Sequence, residues 1–210
     1  MAHRKAPARK PAKKITSARS SRGSSRTPAK GASSRTRQQP QRSGTQAKVQ
    51  TISPCLWFDS EAEDAARFYT SIFKSSKITT INRYPPVGQE IHGRQAGSVM
   101  TVDFVLNGVP FTALNGGPVF KFNEAVSFQV LCANQEEIDY YWEKLGEGGD
   151  PKARQCGWLK DKFGLSWQVA PDDMMDYFRN PDSQATQRAF NAMMQMKKID
   201  IAALKKAFKG

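Results

Sequence analysis

The chain has 210 residues, a formal net charge of +13, 39% hydrophobic residues and three cysteines. Its length suits one ordinary domain with extensions, and it contains no apolar run of the kind a membrane span or a secretory leader needs, so no membrane partner is expected. The charge is confined to one end: residues 1–50 hold 14 of the 32 Lys and Arg and no Asp or Glu, leaving 18 basic against 19 acidic residues in 51–210.

The first 50 residues are Lys, Arg, Ser, Ala and Pro with almost nothing apolar. Such a stretch cannot bury enough surface to offset the entropy of ordering, so residues 1–50 read as a disordered basic tail. A solvated arm is one use for it. Weak, non-specific and salt-sensitive nucleic-acid binding through phosphate neutralisation is another. A transit peptide is a third, although its prolines and lysines count against the helix such a leader forms. The body, residues 51–210, has a balance of −1 and no basic field of its own. It therefore offers no groove-reading element.

Along the body, "ISPCLWF" reads as a strand, followed by Ser60-x-x-Glu63, a capping box. The helix after it has Ala65, Phe68, Tyr69, Ile72 and Phe73 on one face. Three strands follow, "KITTINRY", "GSVMTVDFVL" and "VPFTALN", the last two joined by a turn at Asn107-Gly108. The loop "PPVGQEIHGRQAG" between the first two carries His92 and reads as a flexible flap. The pattern then repeats. "AVSFQVLC" is a strand, Asn134-x-x-Glu137 caps a helix, and Ile138, Tyr141, Trp142 and Leu145 form its apolar face. Shorter strands follow near Lys152–Gln155, in "CGWLKD" and, past a turn at Gly164, in "LSWQVA". Phe68, Tyr69 and Ile72 match Tyr141, Trp142 and Leu145 at an offset of 73 residues. From about residue 171 onward three helices are expected, Asp173–Phe178, Ser183–Met196 and Ile201–Phe208, the last capped by Asp200. Ala189, Met193 and Met196, with Phe190 and Met194, give the middle one a broad apolar face suited to packing or to an adaptable interface.

The fold class read from this pattern is α+β: paired βαβββ modules forming a cupped mixed sheet, with C-terminal helices and the disordered basic tail. The aromatic pair in the first helix, with "PCLWFDSEAEDAARFYTSIF", "SFQVLC", "YYWEKL", "CGWLKDKFGLSWQVAPD" and "MMQMKKIDIAAL", resembles the vicinal-oxygen-chelate superfamily of glyoxalase I, bleomycin resistance proteins and extradiol dioxygenases. Within it the resemblance is to the PhnB-like branch, labelled 3-demethylubiquinone-9 3-methyltransferase-like, and it covers about Thr51 to Leu204. Metal-dependent members of the superfamily take one ligand from the first and one from the last strand of each module. The resemblance places these seats at Pro54, Thr112, Ser127 and Gln168. A proline, two hydroxyls and an amide cannot offset the dehydration of a divalent cation, so no metal and no other cofactor is expected. The resemblance also implies a homodimer, because related folds pair sheets between subunits.

Strand alternation then assigns a cleft face. Leu56 and Phe58 join Pro54, Leu114 joins Thr112, Gln129 and Leu131 join Ser127, and Ser166 joins Gln168. Trp57, Phe128, Val130 and Trp167 fall to the core, with Trp158 near the cleft mouth. Leu56, Phe58, Thr112, Leu114, Ser127, Gln129, Ser166 and Gln168 are thus the candidate ligand-binding residues, for an uncharged or weakly polar organic molecule. Alternatively, the polar members satisfy one another around water. Asp103, a carboxylate in mid-strand, is the candidate general base if it faces the cleft, and an exposed edge residue if it does not. Cys55, Cys132 and Cys156 lie in apolar contexts and read as free buried thiols of a cytoplasmic protein. Cys156 lacks a histidine to activate it as a nucleophile.

A metal-independent small-molecule-binding protein is the first function these residues suggest. An enzyme of the methyltransferase-like label is the alternative, although no glycine-rich turn of the usual S-adenosylmethionine fold follows "ISPCLWF". Non-specific nucleic-acid association through the tail is the second alternative.

Overall fold

Alternating strands followed by helical periods build the same unit twice, and the computed structural model describes it over residues 52–210. The basic tail lies outside the described residues. In the first module β1 (Cys55–Phe58) leads to α1 (Ala62–Ile72), then β2 (Lys77–Arg83), a short helix α2 (Gln89–His92), β3 (Val99–Leu106) and β4 (Val109–Asn115). In the second, β5 (Ser127–Cys132) leads to α3 (Gln135–Gly146), β6 (Trp158–Lys160) and β7 (Ser166–Pro171). After a 3-10 turn at Met174–Phe178 come α4 (Gln184–Met194) and α5 (Ile201–Lys209). The architecture is the expected α+β pairing of strand–helix–strand modules with C-terminal helices.

Each module has its own mixed sheet. The first runs β1-β4-β3-β2 and the second β5-β7-β6, with each module's first and last strands, β1/β4 and β5/β7, parallel and the hairpin pairs antiparallel. The β3–β4 hairpin turns on Asn107 and Gly108, both at positive φ (46° and 85°), the backbone a tight two-residue hairpin demands. The strand expected near Lys152–Gln155 shrinks to a 3-10 turn at Pro151–Ala153 and one bridge from Gln155 to Trp158. Pro151 fixes its φ there, and the Asp150 side chain accepts from the Lys152 N–H, so the chain curls where its counterpart β2 extends.

A single core joins the two modules. Tyr69 of α1 stacks on Phe104 of the first sheet and tilts against Trp167 of the second. Phe73, just past the end of α1, and Tyr141 of α3 stack at 5.2 Å, and Phe111 meets Phe128 at 5.2 Å. The helix-facing sides of both sheets therefore look inward, and their other sides look out.

The helix starts differ from expectation in one place. Asn134 does cap α3, accepting from Glu137 N at 2.9 Å, while Glu137 accepts from Ala133 N. Ser60 does not cap α1, which begins one residue later. Its first N–H, on Ala62, donates instead to the side chain of Asn115 at the end of β4 (2.8 Å). Buried Asn115 also donates to Val99 O, which fastens the first helix to the sheet.

The β2–β3 loop, expected as a flap, is tied down. His92 stacks on Tyr84 at 4.6 Å, its Nδ1 accepts from Arg94 N, and Arg94 bridges to Asp59 at the end of β1.

Candidate functional site

The parallel register of β1 on β4 decides what each face of the first sheet presents. Cys55 pairs with Thr112, Leu56 with Ala113 and Trp57 with Leu114, and register partners share a face. Leu56 and Phe58 are therefore not on the face of Thr112. They lie in the core, 5% and 4% exposed, on the helix side with Phe111 and Ala113. Trp57, expected in the core, lies on the outward face instead: its Nε1–H donates to Gly117 O (2.7 Å) and its ring meets Phe120 edge-on. Gly116 backs it so closely that a Cβ there would sit 2.2 Å from the indole.

The reason for the inversion is one residue. The helices repeat at the expected offset, but the link from β1 into α1 is one residue longer than the link from β5 into α3. A side-chain period of two turns that single residue into a complete exchange of faces. The outward row on the first sheet is Cys55, Thr112 and Asp103 on adjacent strands. Thr112 Oγ1 donates to Asp103 Oδ1 at 2.6 Å, and Leu114 lies on the same face.

The second sheet follows the sequence reading. Val130, Trp167 and Val169 are core, while Ser127, Gln129, Ser166 and Gln168 occupy the outward face. Gln168 Nε2 donates to Ser127 Oγ at 2.8 Å, and Gln129 Nε2 reaches Gln168 Oε1 at 3.4 Å. Part of the polar row thus satisfies itself. Ser166 does not: it is 1% exposed, and its Oγ is buried with no hydrogen-bond partner among the described residues.

Above this face is a cavity of about 790 Å³. Gln129, Ser166, Gln168 and Trp158 form its floor, with Cys156 at one side. The opposite wall is Met174, Met175, Phe178, Met193 and Met194, from the 3-10 turn and α4. At the rim Lys160 Nζ pairs with Glu124. Thr112, Leu114 and Asp103 do not line it. Of the four seats, Thr112 is on the outward face of the first sheet and Ser127 and Gln168 are on that of the second, while Pro54 shares the alternation of Leu56 and Phe58 on the helix side, so they do not converge within one chain. Their chemistry does not fit a divalent cation either. Among the described residues no three His, Cys, Asp or Glu side chains gather as a metal cluster. The methionine wall was not read as part of a site from the sequence. Its signal was there, in an apolar face on α4 that leaves Met194 and Phe190 43% and 47% exposed.

The thiols differ in setting. All three are free, Cys132 buried, Cys156 half-buried and Cys55 exposed rather than buried. Burial, reinforced by Glu137 and Asp172, pushes the Cys132 thiol up to about 12. Burial and then the Asp103 carboxylate raise Cys55. Cys156 Sγ lies 3.8 Å from Met194 Sδ.

One buried carboxylate escaped the sequence reading. Asp161, 2% exposed, accepts from Tyr69 Oη (2.8 Å), Trp167 Nε1 (2.8 Å), Phe163 N (2.9 Å) and Leu165 N (3.0 Å). Burial pushes its carboxyl up against the pull of these four bonds, and the same burial, with Asp161 beside it, raises the Tyr69 phenol well above its ordinary value. All its acceptor capacity is used by the fold, so it is a structural joint between α1 and the β6–β7 turn.

Two strand–helix–strand modules with mixed sheets sharing one core define the vicinal-oxygen-chelate fold. The profile of the 3-demethylubiquinone-9 3-methyltransferase family matches residues 50–170, more than half of the chain, and the chain belongs to that family. Among solved structures it is similar to the PhnB protein from Bacillus cereus, with 37% identity over 57% of this chain and 98% of that one and a TM-score of 0.49. It is also similar to a protein from Staphylococcus aureus (26% identity, 57% and 94% covered, TM-score 0.24) and to the fosfomycin resistance protein FosX from Mesorhizobium loti (11%, 63% and 98%, TM-score 0.44). No curated protein matches the chain. The family match ends at Ala170, so the methionine wall lies beyond it.

Proposed function

We propose that the body of the chain, residues 51–210, binds a small organic molecule on the outward face of the second sheet, beneath the C-terminal helices and without a metal ion. The observation that carries this reading is the cavity of about 790 Å³ with an apolar methionine wall and an amide-and-hydroxyl floor. That size and mixture suit a ligand of drug-like dimensions, buried by apolar walls and oriented by a few polar groups. Weak donors at all four seats support independence from metal. The outward row of the first sheet, Cys55, Thr112 and Leu114, has no cover among the described residues, and a second copy of the chain is its proposed cover. The reading is thus of a homodimeric, cytoplasmic binding protein.

The test is native mass spectrometry of protein purified from its own cell, with elemental analysis alongside. A retained organic mass and no stoichiometric metal are expected. Stoichiometric zinc, nickel or iron refutes metal independence. For the ligand so found, Gln168→Leu should lower affinity at least tenfold with the fold intact, because the amide that orders the floor is lost. Unchanged affinity removes Gln168 from the site.

The family name favours a second reading, an enzyme of the methyltransferase label. Its candidate general base, Asp103, faces outward but accepts from Thr112 and lies outside the cavity. Methyl transfer to any acceptor that is lost in Asp103→Asn would favour the enzyme. A third reading rests on the charge confined to residues 1–50. Salt-sensitive DNA retention that vanishes on deleting them would support non-specific nucleic-acid association through the tail.

A further inference from the structure

Of the polar groups on the cavity floor, Ser166 alone is unaccounted for. Gln168 and Ser127 bond each other, and Gln129 reaches Gln168, yet the Ser166 hydroxyl is buried with nothing among the described residues to receive its proton. Buried hydroxyls rarely stay unpaired, and leaving one so costs more than an average hydrogen bond returns. The group is a donor in want of an acceptor, on a residue that lines the cavity.

The surfaces around it restrict what that acceptor belongs to. Met174, Met175, Met193 and Met194 stand across the cavity, with Phe178 among them. Thioethers are polarizable, adapt their rotamers to an irregular partner and make favourable contacts with aromatic rings. Charge is scarce: Lys160 is neutralised by Glu124 at the rim, and the remaining charged lining residue, Asp172, is an exposed carboxylate that opposes an anion. An anionic ligand would surrender its hydration for a thioether wall and an unpaired carboxylate.

We infer that the cavity selects a neutral, planar, apolar molecule bearing one carbonyl group, whose oxygen accepts from Ser166 Oγ while its ring body lies on the methionine wall supplied by residues 174–194. This rests on the proposed small-molecule reading and deepens it by assigning the ligand's chemistry. The wall lies beyond the residues the family profile matches, whereas Ser166 lies within them.

The full chain tests the inference by fluorescence titration with two neutral probes. One is the ketone 6-propionyl-2-dimethylaminonaphthalene, and the other is its carbonyl-free parent, 2-dimethylaminonaphthalene. The ketone should bind more tightly. Ser166→Ala should weaken the ketone about tenfold and the parent less than twofold, the loss of one buried hydrogen bond. Ser166→Cys, which keeps the side-chain shape with a weaker donor, repeats the test if the alanine variant does not fold. Met174→Ala combined with Met193→Ala should weaken both probes alike. A sulfonated naphthalene, 1-anilinonaphthalene-8-sulfonate, should bind at least tenfold more weakly than its neutral parent N-phenyl-1-naphthylamine. Equal loss of both neutral probes in the serine variants, no binding of the ketone, or equal binding of the sulfonate overturns the inference. Ala170→Trp, which fills the cavity, separates the two levels of the argument. If it abolishes ketone binding while Ser166→Ala leaves that binding unchanged, the cavity reading stands and the carbonyl assignment falls. If it changes nothing, both fall.

Discussion

Replacing Asp161 with asparagine changes one oxygen to an amide nitrogen and tests the joint between the two modules. The retained Oδ1 keeps Phe163 N and Leu165 N, so the turn survives. The new Nδ2 replaces the oxygen that Tyr69 Oη and Trp167 Nε1 address. The tyrosine hydroxyl can rotate and accept instead. The indole N–H cannot accept, so two donors face each other in a buried site. An unsatisfied buried donor costs roughly 1–3 kcal/mol, and relief of the carboxylate's burial offsets part of it, so about 2 kcal/mol is expected at neutral pH. For a folded part of this size that lowers Tm by roughly 4–8 °C. Urea unfolding followed by circular dichroism measures it. In a Trp167→Phe background the opposed donor is gone, and the same substitution should cost about 1 kcal/mol or less. Equal costs in both backgrounds, or a cost under about 0.5 kcal/mol in the parent, would refute the account.

The pH dependence has a definite sign. Burial raises the folded Asp161 carboxyl above its ordinary 3.8, so the folded chain holds that proton more tightly than the unfolded chain. Its contribution to stability is full below that value and is lost as pH rises through the raised one. The protonated acid can still donate to Tyr69 and accept from Trp167, which asparagine cannot. The stability gap between parent and Asp161→Asn should therefore narrow as pH climbs from about 4 toward neutrality, and a gap that widens would contradict it.

Ellman's reagent should reach Cys132 only after unfolding, since that residue is buried with its thiol pushed to about 12; native labelling of Cys132 would contradict the packing. Asn115→Ala removes the acceptor for Ala62 N and the donor to Val99 O, and should cost about 2 kcal/mol in urea unfolding. Gly116→Ala places a methyl group inside the Trp57 ring's volume, breaking its bond to Gly117 O. A loss of about 1–3 kcal/mol and greater iodide quenching of tryptophan emission are expected.

The second sheet was legible because its polar and apolar residues alternate without interruption from Leu165 to Val169. In the first sheet only β1 was read with its faces exchanged, because nothing local in "PCLWFDSEA" announces an extra residue before the helix, and Ser60 offers a cap that the fold does not use. Cysteine and tryptophan at Cys55 and Trp57 look like core residues by type. Only the register with Thr112 and Leu114 turns them outward. Asp161 was hidden for a related reason. It sits in "LKDKFG" between two lysines, where a carboxylate reads as solvated, and its burial comes from Tyr69, 92 positions away in sequence. The cavity combined both limits: its floor could be read from alternation, but its wall required knowing where the C-terminal helices return.

That return also closes an edge. Cys156 and Gly157 donate their N–H groups to the carbonyls of Met196 and Lys197, beside the short strand β6, and Ile199 is wholly enclosed in the main core. The stretch before α5 thereby acts as a clasp on a sheet that is one strand short. A fragment cut at Ala170, where the family profile's match stops, would present an open ladder and a vacancy at Ile199, inviting strand-to-strand association. A truncation placed at the end of the profile match should therefore yield aggregates rather than a minimal domain.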